Sequence, residues 1–367
     1  MRTNIRKFKK EEVIIMETPK LTLLTERQLR GNSLGNKLKI FPDSREIRAA
    51  MSDLCILTGC MVPTEVGKNM LGNGYSNKLQ KRPCWYWTKN HYGYYDDILV
   101  VKSEWDWLCT YKPVEINTVS CNSRYVSIRP VIKSKEIYHE LKERTRYICD
   151  GTYEVEYGEY PQWAVHEEMQ EKLEEELAKG TLNKTGKIYT FDSTRWDNRD
   201  TGFQGVTYDE YEYLGKKYIR IKANQSHWTD AYREYGVQFD KTEIFVLSNG
   251  IEYNDGDYVW VEVSPVKWLL DKKKKTLVSN ICLVSGIQFN SKDKEYNSHF
   301  EESDMYAYMQ NYLAKELVPS VVVKEETTTR KTNLEEVKTE DNNIKLNDAA
   351  LFTKSSQEKP KMRIRKK

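Results

Sequence analysis

Alternating and helical patterns of apolar residues predict two structured segments. LTLLT at 21–25 predicts a strand, and Asp43 with Glu46 forms a capping-box pattern ahead of a predicted helix. Gly59 is placed to end that helix. Its predicted apolar face consists of Ile47, Ala50, Met51, Leu54 and Cys55. Short strands then follow, and the clearest are ILVV at 98–101 and YVSIRPVI at 125–132, both rich in β-branched residues.

A second segment begins near Thr152 and repeats the same mixture. HEEMQEKLEEELAKG at 166–180 predicts a helix, because apolar residues recur every four positions up to Gly180. Another helix is predicted from Ser303 to a point before Pro319, with Tyr308 and Tyr312 on its apolar face. Between them lie strand-like runs: KIYTFDS, YDEYEYLGKKYIRIKAN, EIFVLSNG, DYVWVEVSPVKWLL and ICLVSGIQF. LGKK and SNGIEYNDGD carry the residues of tight hairpin turns.

The apolar pattern ends near residue 320, where the chain becomes charged and free of tyrosine and tryptophan. Such a segment buries too little apolar surface to order itself. We therefore expect an α+β protein in five parts. These are a basic flexible arm at 1–20, a domain at 21–137, a linker at 138–152, a β-rich domain at 153–319 and a disordered tail at 320–367.

Composition narrows the function. The chain has 25 tyrosines and nine tryptophans, which suit both strands and recognition surfaces. A net charge of +3 argues against a dedicated nucleic-acid binder. Seven cysteines without CxxC spacing predict scattered thiols and no zinc site. Without a long apolar run or a secretory-type leader, we expect a soluble protein of the cytoplasm or of a virion.

Four short motifs in the first segment carry a resemblance. LCILTGCMVP at 54–63, CWYWTK at 84–89, DDILVV at 96–101 and SIRPVI at 127–132 resemble a family of bacterial and phage proteins with a WWWTK segment and a closing RPAL-like strand. That pattern is similar to the C-type-lectin-like fold, to variable proteins of diversity-generating retroelements and to the formylglycine-generating-enzyme fold. The resemblance implies a compact α+β domain at 21–132 whose irregular loops carry the ligand site.

The second segment resembles a companion domain of uncharacterised Firmicutes and phage proteins. The matching pieces are EVEYGEYPQ, TGKIYTFDS, EYEYLGKKYIRI, VWVEVSPVKWLLD and SGIQF. This resemblance implies no activity. In the first segment, the EPN, QPD and WND calcium signatures and a matching cysteine pair are missing, so calcium-dependent sugar binding and formylglycine chemistry do not carry over.

The stretch after WYWTK supplies the candidate binding residues. Trp85 and Trp87 share one face of a strand and are predicted to lie in the core. The exposed face that the resemblance implies holds rigid rings beside short polar groups, a combination that recognition surfaces favour. Its predicted residues are Tyr92, Tyr94, Tyr95, Asp96, Asp97, Trp105, Asp106, Trp107, Tyr111, Asn122 and Tyr125.

The sequence predicts no catalytic residue, no metal site and no cofactor. Its five histidines form no HxxxH or HxH pair, and GxSxG, Walker and GxGxxG motifs are missing. We expect a non-enzymatic recognition protein that binds a protein or a glycan. The alternative is a structural protein of a phage or bacterial complex, in which the aromatic face mediates self-association. Nucleic-acid binding ranks below both, and the KKKK run at 272–275 is expected to be a solvated loop tip.

Overall fold

The structure of the chain is a computed structural model. It describes residues 7–14, 18–30, 50–60, 85–91, 97–102, 115–149, 152–194, 201–224, 245–254, 256–294, 297, 299–318 and 322–329. Helices and sheets are both present and strands predominate, as the expected α+β class requires. Within the described ranges, each helix is too short or too polar to cross a lipid bilayer.

The secondary-structure elements follow in chain order. The strands are β1 (Lys7–Ile14), β2 (Leu21–Thr22), β3 (Ala50–Met51), β4 (Tyr86–His91), β5 (Asp97–Lys102), β6 (Glu115–Ser120), β7 (Val131–Ile132), β8 (Arg146–Cys149), β9 (Thr152–Ala164), β10 (Asn183–Asp192), β11 (Gly205–Tyr213), β12 (Lys216–Lys222), β13 (Phe245–Val246), β14 (Glu252–Tyr253), β15 (Tyr258–Asp271), β16 (Thr276–Ser279), β17 (Ile281–Cys282) and β18 (Val322–Thr329). The α-helices are α1 (Glu26–Arg30), α2 (Asp53–Leu57), α3 (Lys135–Leu141), α4 (Glu167–Lys179), α5 (Asp304–Tyr308) and α6 (Ala314–Glu316).

The chain divides into two compact units. One combines residues 1–18 with 318–367, and the other spans Pro19–Leu317. In the first unit, β1 pairs antiparallel with β18, and Ile14 lies opposite Val322. β1 and residues 18–20 are the described parts of the predicted flexible arm, and β18 is the described part of the predicted disordered tail; the other residues of both segments lie outside the described ranges.

A nine-stranded sheet organises the larger unit. Seven strands follow the order β10-β11-β12-β15-β16-β7-β2, and β9 pairs with both β15 and β8. The long strand β15 is its axis, because its first half pairs with β12, its second half pairs with β16, and β9 follows its other edge. The register with β9 shifts at Pro265, which has no N–H to donate to a ladder.

A smaller sheet carries the WYW segment. Strands β4, β5 and β6 form it, and Trp85, Tyr86 and Trp87 are all buried. The predicted core position of the two tryptophans is therefore correct. The backbone of Trp87 donates to the Ser127 carbonyl at 3.1 Å, while Ser127 donates to the Trp85 carbonyl at 2.8 Å.

Two predicted helices match the structure closely. Helix α4 ends at Gly180, whose φ of 69° lies in the left-handed region that favours glycine. Helix α5 begins after Ser303, whose hydroxyl accepts from the Tyr306 N–H, and continues through a π turn (Met309–Leu313) into α6.

The helix predicted from Asp43 is confirmed at Asp53–Leu57 and is wrong at Ala50 and Met51. Ala50 and Met51 form β3, which pairs in parallel with β17, and the helix begins only at Asp53 after the Ser52 cap. A pairing with residues more than two hundred positions away overrides the local helical pattern. Gly59 does lie just after the helix, with a φ of 104°. Residues 43–49 lie outside the described ranges.

Both predicted domains contribute strands to the nine-stranded sheet. β2 and β7 come from residues 21–137, and β7 pairs with β16 from residues 153–319. The expected linker at 138–152 contains the end of α3 and strand β8. The structure thus joins the two predicted domains in one compact unit, because hydrogen-bonded strands cross the expected boundary.

The end of the C-terminal helix packs against β9 at Gly158. That glycine has a φ of 72°, and a Cβ placed on it would lie 2.5 Å from the carbonyl oxygen of Leu317. The next N–H, from Glu159, donates to the same oxygen at 2.9 Å. Close approach of two backbones thus requires glycine here.

We expect Gly158→Ala to lower the free energy of unfolding by about 3 kcal/mol or more, since it combines left-handed strain with a backbone clash. The matched control is Gly186→Ala, where φ is 85° and a Cβ would meet nothing within 4 Å. The control should lose only about 1 kcal/mol. Urea unfolding of the three proteins measures the difference, and equal losses would contradict this packing.

Candidate functional site

A buried ion pair lies behind the candidate site. Arg124 and Asp192 are almost fully buried, and the Arg124 guanidinium donates to Asp192 Oδ2. Its two terminal nitrogens also donate to the carbonyls of Gly286 at 3.2 Å and Thr201 at 2.6 Å. Burial lowers the pKa of Arg124, while the charge of Asp192 and the hydrogen bond with it oppose that effect. The pair therefore stabilises a charge inside the protein that would be costly alone.

The second oxygen of Asp192 organises the start of a loop. Oδ1 accepts from the N–H groups of Thr194 at 2.9 Å and Gln204 at 3.2 Å. These bonds hold together the two described ends of the connection between β10 and β11. Phe203, immediately before Gln204, is thereby placed at the mouth of a cleft.

The cleft has a volume of about 340 Å³ and combines rings with polar groups. We call it the aromatic cleft. The residues that line it include Asp192, Phe203, Gln288, Asp304, Tyr308, Asn311 and Tyr312. A concave site with rings and a few convergent polar groups is the usual form of a ligand site. A second hollow of about 250 Å³ lies on the β10–β12 side of Asp192 and is lined in part by Phe191 and Ile221.

Three rings form one wall of the aromatic cleft. The centroid of Phe203 lies 5.7 Å from that of Tyr308 and 5.5 Å from that of Tyr312, and the two tyrosines are 5.6 Å apart. Phe203 is 40% exposed, Tyr312 is half-buried and Tyr308 is buried. Tyr308 immediately precedes the π turn and Tyr312 lies within it; such a helical irregularity is frequent at functional sites.

The other acidic residue of the aromatic cleft, Asp304, is held as a carboxylate. Burial alone would raise the pKa of Asp304, but hydrogen bonds from Lys294 and Ser291 outweigh it and lower that pKa. Lys294 Nζ lies 2.6 Å from Oδ1, and the Ser291 N–H lies 2.8 Å from Oδ2. Each carboxylate of the cleft therefore has its own cation, so the cleft carries little uncompensated charge.

A buried carboxyl group lies behind Tyr308. Glu316 is 7% exposed, and its Oε1 accepts from the Thr190 N–H at 2.8 Å. Burial raises the pKa of Glu316 to about 8, although the bond from Thr190 opposes the shift. The Tyr308 hydroxyl donates to the Thr190 carbonyl at 2.9 Å. Burial also raises the pKa of Tyr160, and Tyr308 and Glu316 beside it raise that pKa further.

Most of the predicted binding residues lie outside the described ranges: Tyr92, Tyr94, Tyr95, Asp96, Trp105, Asp106, Trp107 and Tyr111. The backbone of Asp97 begins β5. Tyr125, expected on the exposed face, is instead 8% exposed, because its ring packs edge-on against Trp85 at 5.9 Å. Asn122 is half-buried, and its carbonyl accepts from Gln288 Nε2 of the aromatic cleft at 3.1 Å.

The sequence interpretation did not identify the aromatic cleft. Tyr308 and Tyr312 were signalled only as the apolar face of a helix, and a tyrosine pair on such a face is the one local hint of this site. Phe203, Arg124 and Asp192 belong to no local pattern. In the described part of the chain, His, Cys, Asp and Glu side chains form no group of three that could hold a metal ion.

Comparison of the chain with family models, curated proteins and solved structures found no match. The resemblance to C-type-lectin-like proteins therefore stays a prediction, and the site is interpreted from its own geometry.

We expect Arg124→Met to lower the free energy of unfolding by about 3–5 kcal/mol, because it leaves the Asp192 carboxylate buried without its cation. The double variant Arg124→Met, Asp192→Asn should recover part of that loss. Lys216→Met is the matched control: it breaks an exposed ion pair with Glu262 and should cost about 1 kcal/mol or less. Urea unfolding gives all four values. A loss in Arg124→Met no larger than in the control would contradict this role.

Glu316 predicts a pH dependence of stability. Because its pKa is raised in the folded protein, the Glu316 carboxyl loses its proton at lower pH in the unfolded chain than in the folded one. The stabilisation that this group contributes is therefore complete below pH 4.5 and is lost as pH rises towards about 8. Glu316→Gln keeps the acceptor for Thr190 and cannot ionise. Relative to this variant, the native protein should lose at most about 1.4 kcal/mol per pH unit between pH 5 and 7.5. Urea unfolding at several pH values tests this, and parallel profiles would contradict it.

Proposed function

We propose that the protein is a non-enzymatic recognition protein that binds a protein partner through the aromatic cleft. The observation that carries the proposal is the wall of three rings, Phe203, Tyr308 and Tyr312, facing two charge-compensated carboxylates. Rigid rings give large contact area at little entropic cost, and the Asp304 carboxylate supplies a fixed acceptor.

The small volume of the aromatic cleft supports a macromolecular partner over a small-molecule ligand. About 340 Å³ is at the lower end of the range for small-molecule sites, so the aromatic cleft suits one side chain of a larger ligand. Because Lys294 and Arg124 already compensate the carboxylates, the favoured group is planar and neutral with hydrogen-bond donors. One ring of a glycan would meet the same chemistry, and the experiment below separates it from a protein.

The described carboxylates support binding more than catalysis. General acid–base work uses two groups whose environments separate their pKa values within reach of one substrate. In the aromatic cleft, Asp304 is kept ionised and Asp192 is occupied by Arg124 and two backbone N–H groups. Glu316, whose pKa is raised, is buried behind Tyr308. The predicted binding residues at 92–111 remain part of the proposal as sequence-based expectations.

A photoreactive benzoylphenylalanine in place of Phe203 should crosslink one partner protein from a host-cell extract. The same group in place of Tyr258, a ring of similar exposure outside the cleft, should not crosslink it. With that partner purified, Phe203→Ala with Tyr312→Ala should raise the dissociation constant by about tenfold or more, the range for central aromatic contacts. Tyr258→Ala should leave it unchanged.

Three results would overturn the proposal. Equal crosslinking from both positions, or crosslinking only to a second copy of this chain with a concentration-dependent mass, would favour the structural alternative. Binding to an array of glycans that Phe203→Ala abolishes, without a protein crosslink, would assign the site to a sugar.

A further inference from the structure

A basic and aromatic surface lies at one end of the nine-stranded sheet, on elements that the aromatic cleft does not use. The turn Lys272–Lys275 joins β15 to β16 there, and its cations contact rings of neighbouring elements. Lys272 Nζ lies 3.6 Å from the ring centroid of Tyr153, and Lys275 Nζ lies 5.9 Å from that of Tyr138. The expected solvated loop tip is therefore part of a larger surface.

Further cations lie on the opposite side of the β8–β9 pair, because Arg146 pairs with Glu154, Tyr147 pairs with Tyr153, and successive residues of a strand point to opposite faces. Arg144, Arg146 and Lys267 line a shallow hollow of about 230 Å³. Glu154 is shared by two of them, at 3.8 Å from Arg146 and 3.9 Å from Lys267. Lys273 and Lys274 are exposed at the tip of the turn. The turn therefore presents four cations with no carboxylate among them, unlike the aromatic cleft.

An exposed ring lies on the same side of β8 and β9 as Lys272. Tyr147 is 59% exposed on β8, and its ring lies edge-on to Tyr153 with centroids 5.5 Å apart. Tyr153 thus supports Tyr147 on one side and carries Lys272 on its face. We call this set, Tyr147, Tyr153 and Lys272–Lys275, the tyrosine–lysine face.

We propose that the tyrosine–lysine face binds single-stranded nucleic acid. Lys272–Lys275 would contact backbone phosphates, and an unpaired base would stack on Tyr147. Proteins that bind single strands without sequence preference combine cations that follow the backbone with rings that stack on bases. An anionic membrane would be attracted by the charge, but it would not need a supported upright ring beside the lysines. A duplex would hide its bases from that ring.

Fluorescence anisotropy with labelled oligouridylate and oligothymidylate of about 20 nucleotides tests the proposal at several salt concentrations. The intact chain should bind a strand, and log Kd should rise linearly with log salt concentration. Lys273→Gln with Lys274→Gln should weaken binding and reduce the salt slope by about 2. The exposed lysines Lys222 and Lys315 lie outside the face, and their replacement by Gln should leave the slope unchanged.

Tyr147 provides the second arm of the test. Tyr147→Ala should weaken binding by about fivefold to a hundredfold, the range for loss of one stacked base, while Tyr147→Phe should retain it. Thermal unfolding of each variant checks that folding is unchanged. The proposal is overturned if the strands do not bind, if Tyr147→Ala binds as well as the intact chain, or if duplex binds more tightly than single strand. Binding only to vesicles containing phosphatidylserine would also overturn it.

Discussion

The buried ion pair between Arg124 and Asp192 is the interaction on which the arrangement of the larger unit depends. Its partners are 68 positions apart, and Arg124 also binds carbonyls of two further segments, at Thr201 and Gly286. A guanidinium this deeply buried is tolerable only when all of these acceptors are in place. Formation of the pair therefore couples the segment after β6 to the end of β10 and to the loop that follows β17. Through Gln204, it also positions Phe203.

The C-terminal helix supplies the two tyrosines that pack against Phe203, and it is anchored from several directions. Tyr308 donates to β10, Gln310 donates to the Leu21 carbonyl at 2.8 Å, and Leu317 accepts from β9. Glu316 adds a bond to β10 without adding a charge over most of the physiological range, because burial raises its pKa to about 8. A neutral buried acid can serve as an acceptor without a countercation. The rings on this helix are thus held by polar contacts on its buried side.

Local patterns in the sequence predicted the elements that depend on local contacts. Helix α4 has both its period and its glycine stop within one stretch, and the LGKK turn places Leu214 and Gly215 at positive φ as a tight hairpin needs. Elements that depend on distant partners were missed. β3 exists because residues 281–282 lie beside it. The mixed α+β class follows from local patterns, while the single shared sheet follows from pairings that no local pattern encodes.

The aromatic cleft was hidden from the sequence for the same reason. Phe203 and Asp192 come together with the C-terminal helix only in the folded chain, and the pairing that fixes them uses a buried arginine. The predicted residues Asn122 and Tyr125 show how far local reasoning reaches. Asn122 lies next to the cleft, since its carbonyl accepts from Gln288, but the Tyr125 ring packs against Trp85 in the core. Whether a ring is buried or exposed depends on residues that are distant in the sequence, so local reasoning cannot decide it.

The net charge of the chain is near zero, but two of its surfaces differ in charge: one is compensated and the other is basic. In the aromatic cleft, each carboxylate has a cation of its own, so a partner there would be selected by shape and hydrogen bonds and only weakly by salt. On the tyrosine–lysine face, the lysine turn has exposed cations at its tip. Any anionic partner there would release counterions and depend steeply on salt. Total charge averages over these surfaces, whereas a partner meets only one of them. The pairing state of individual charges is therefore the better guide to what each surface binds.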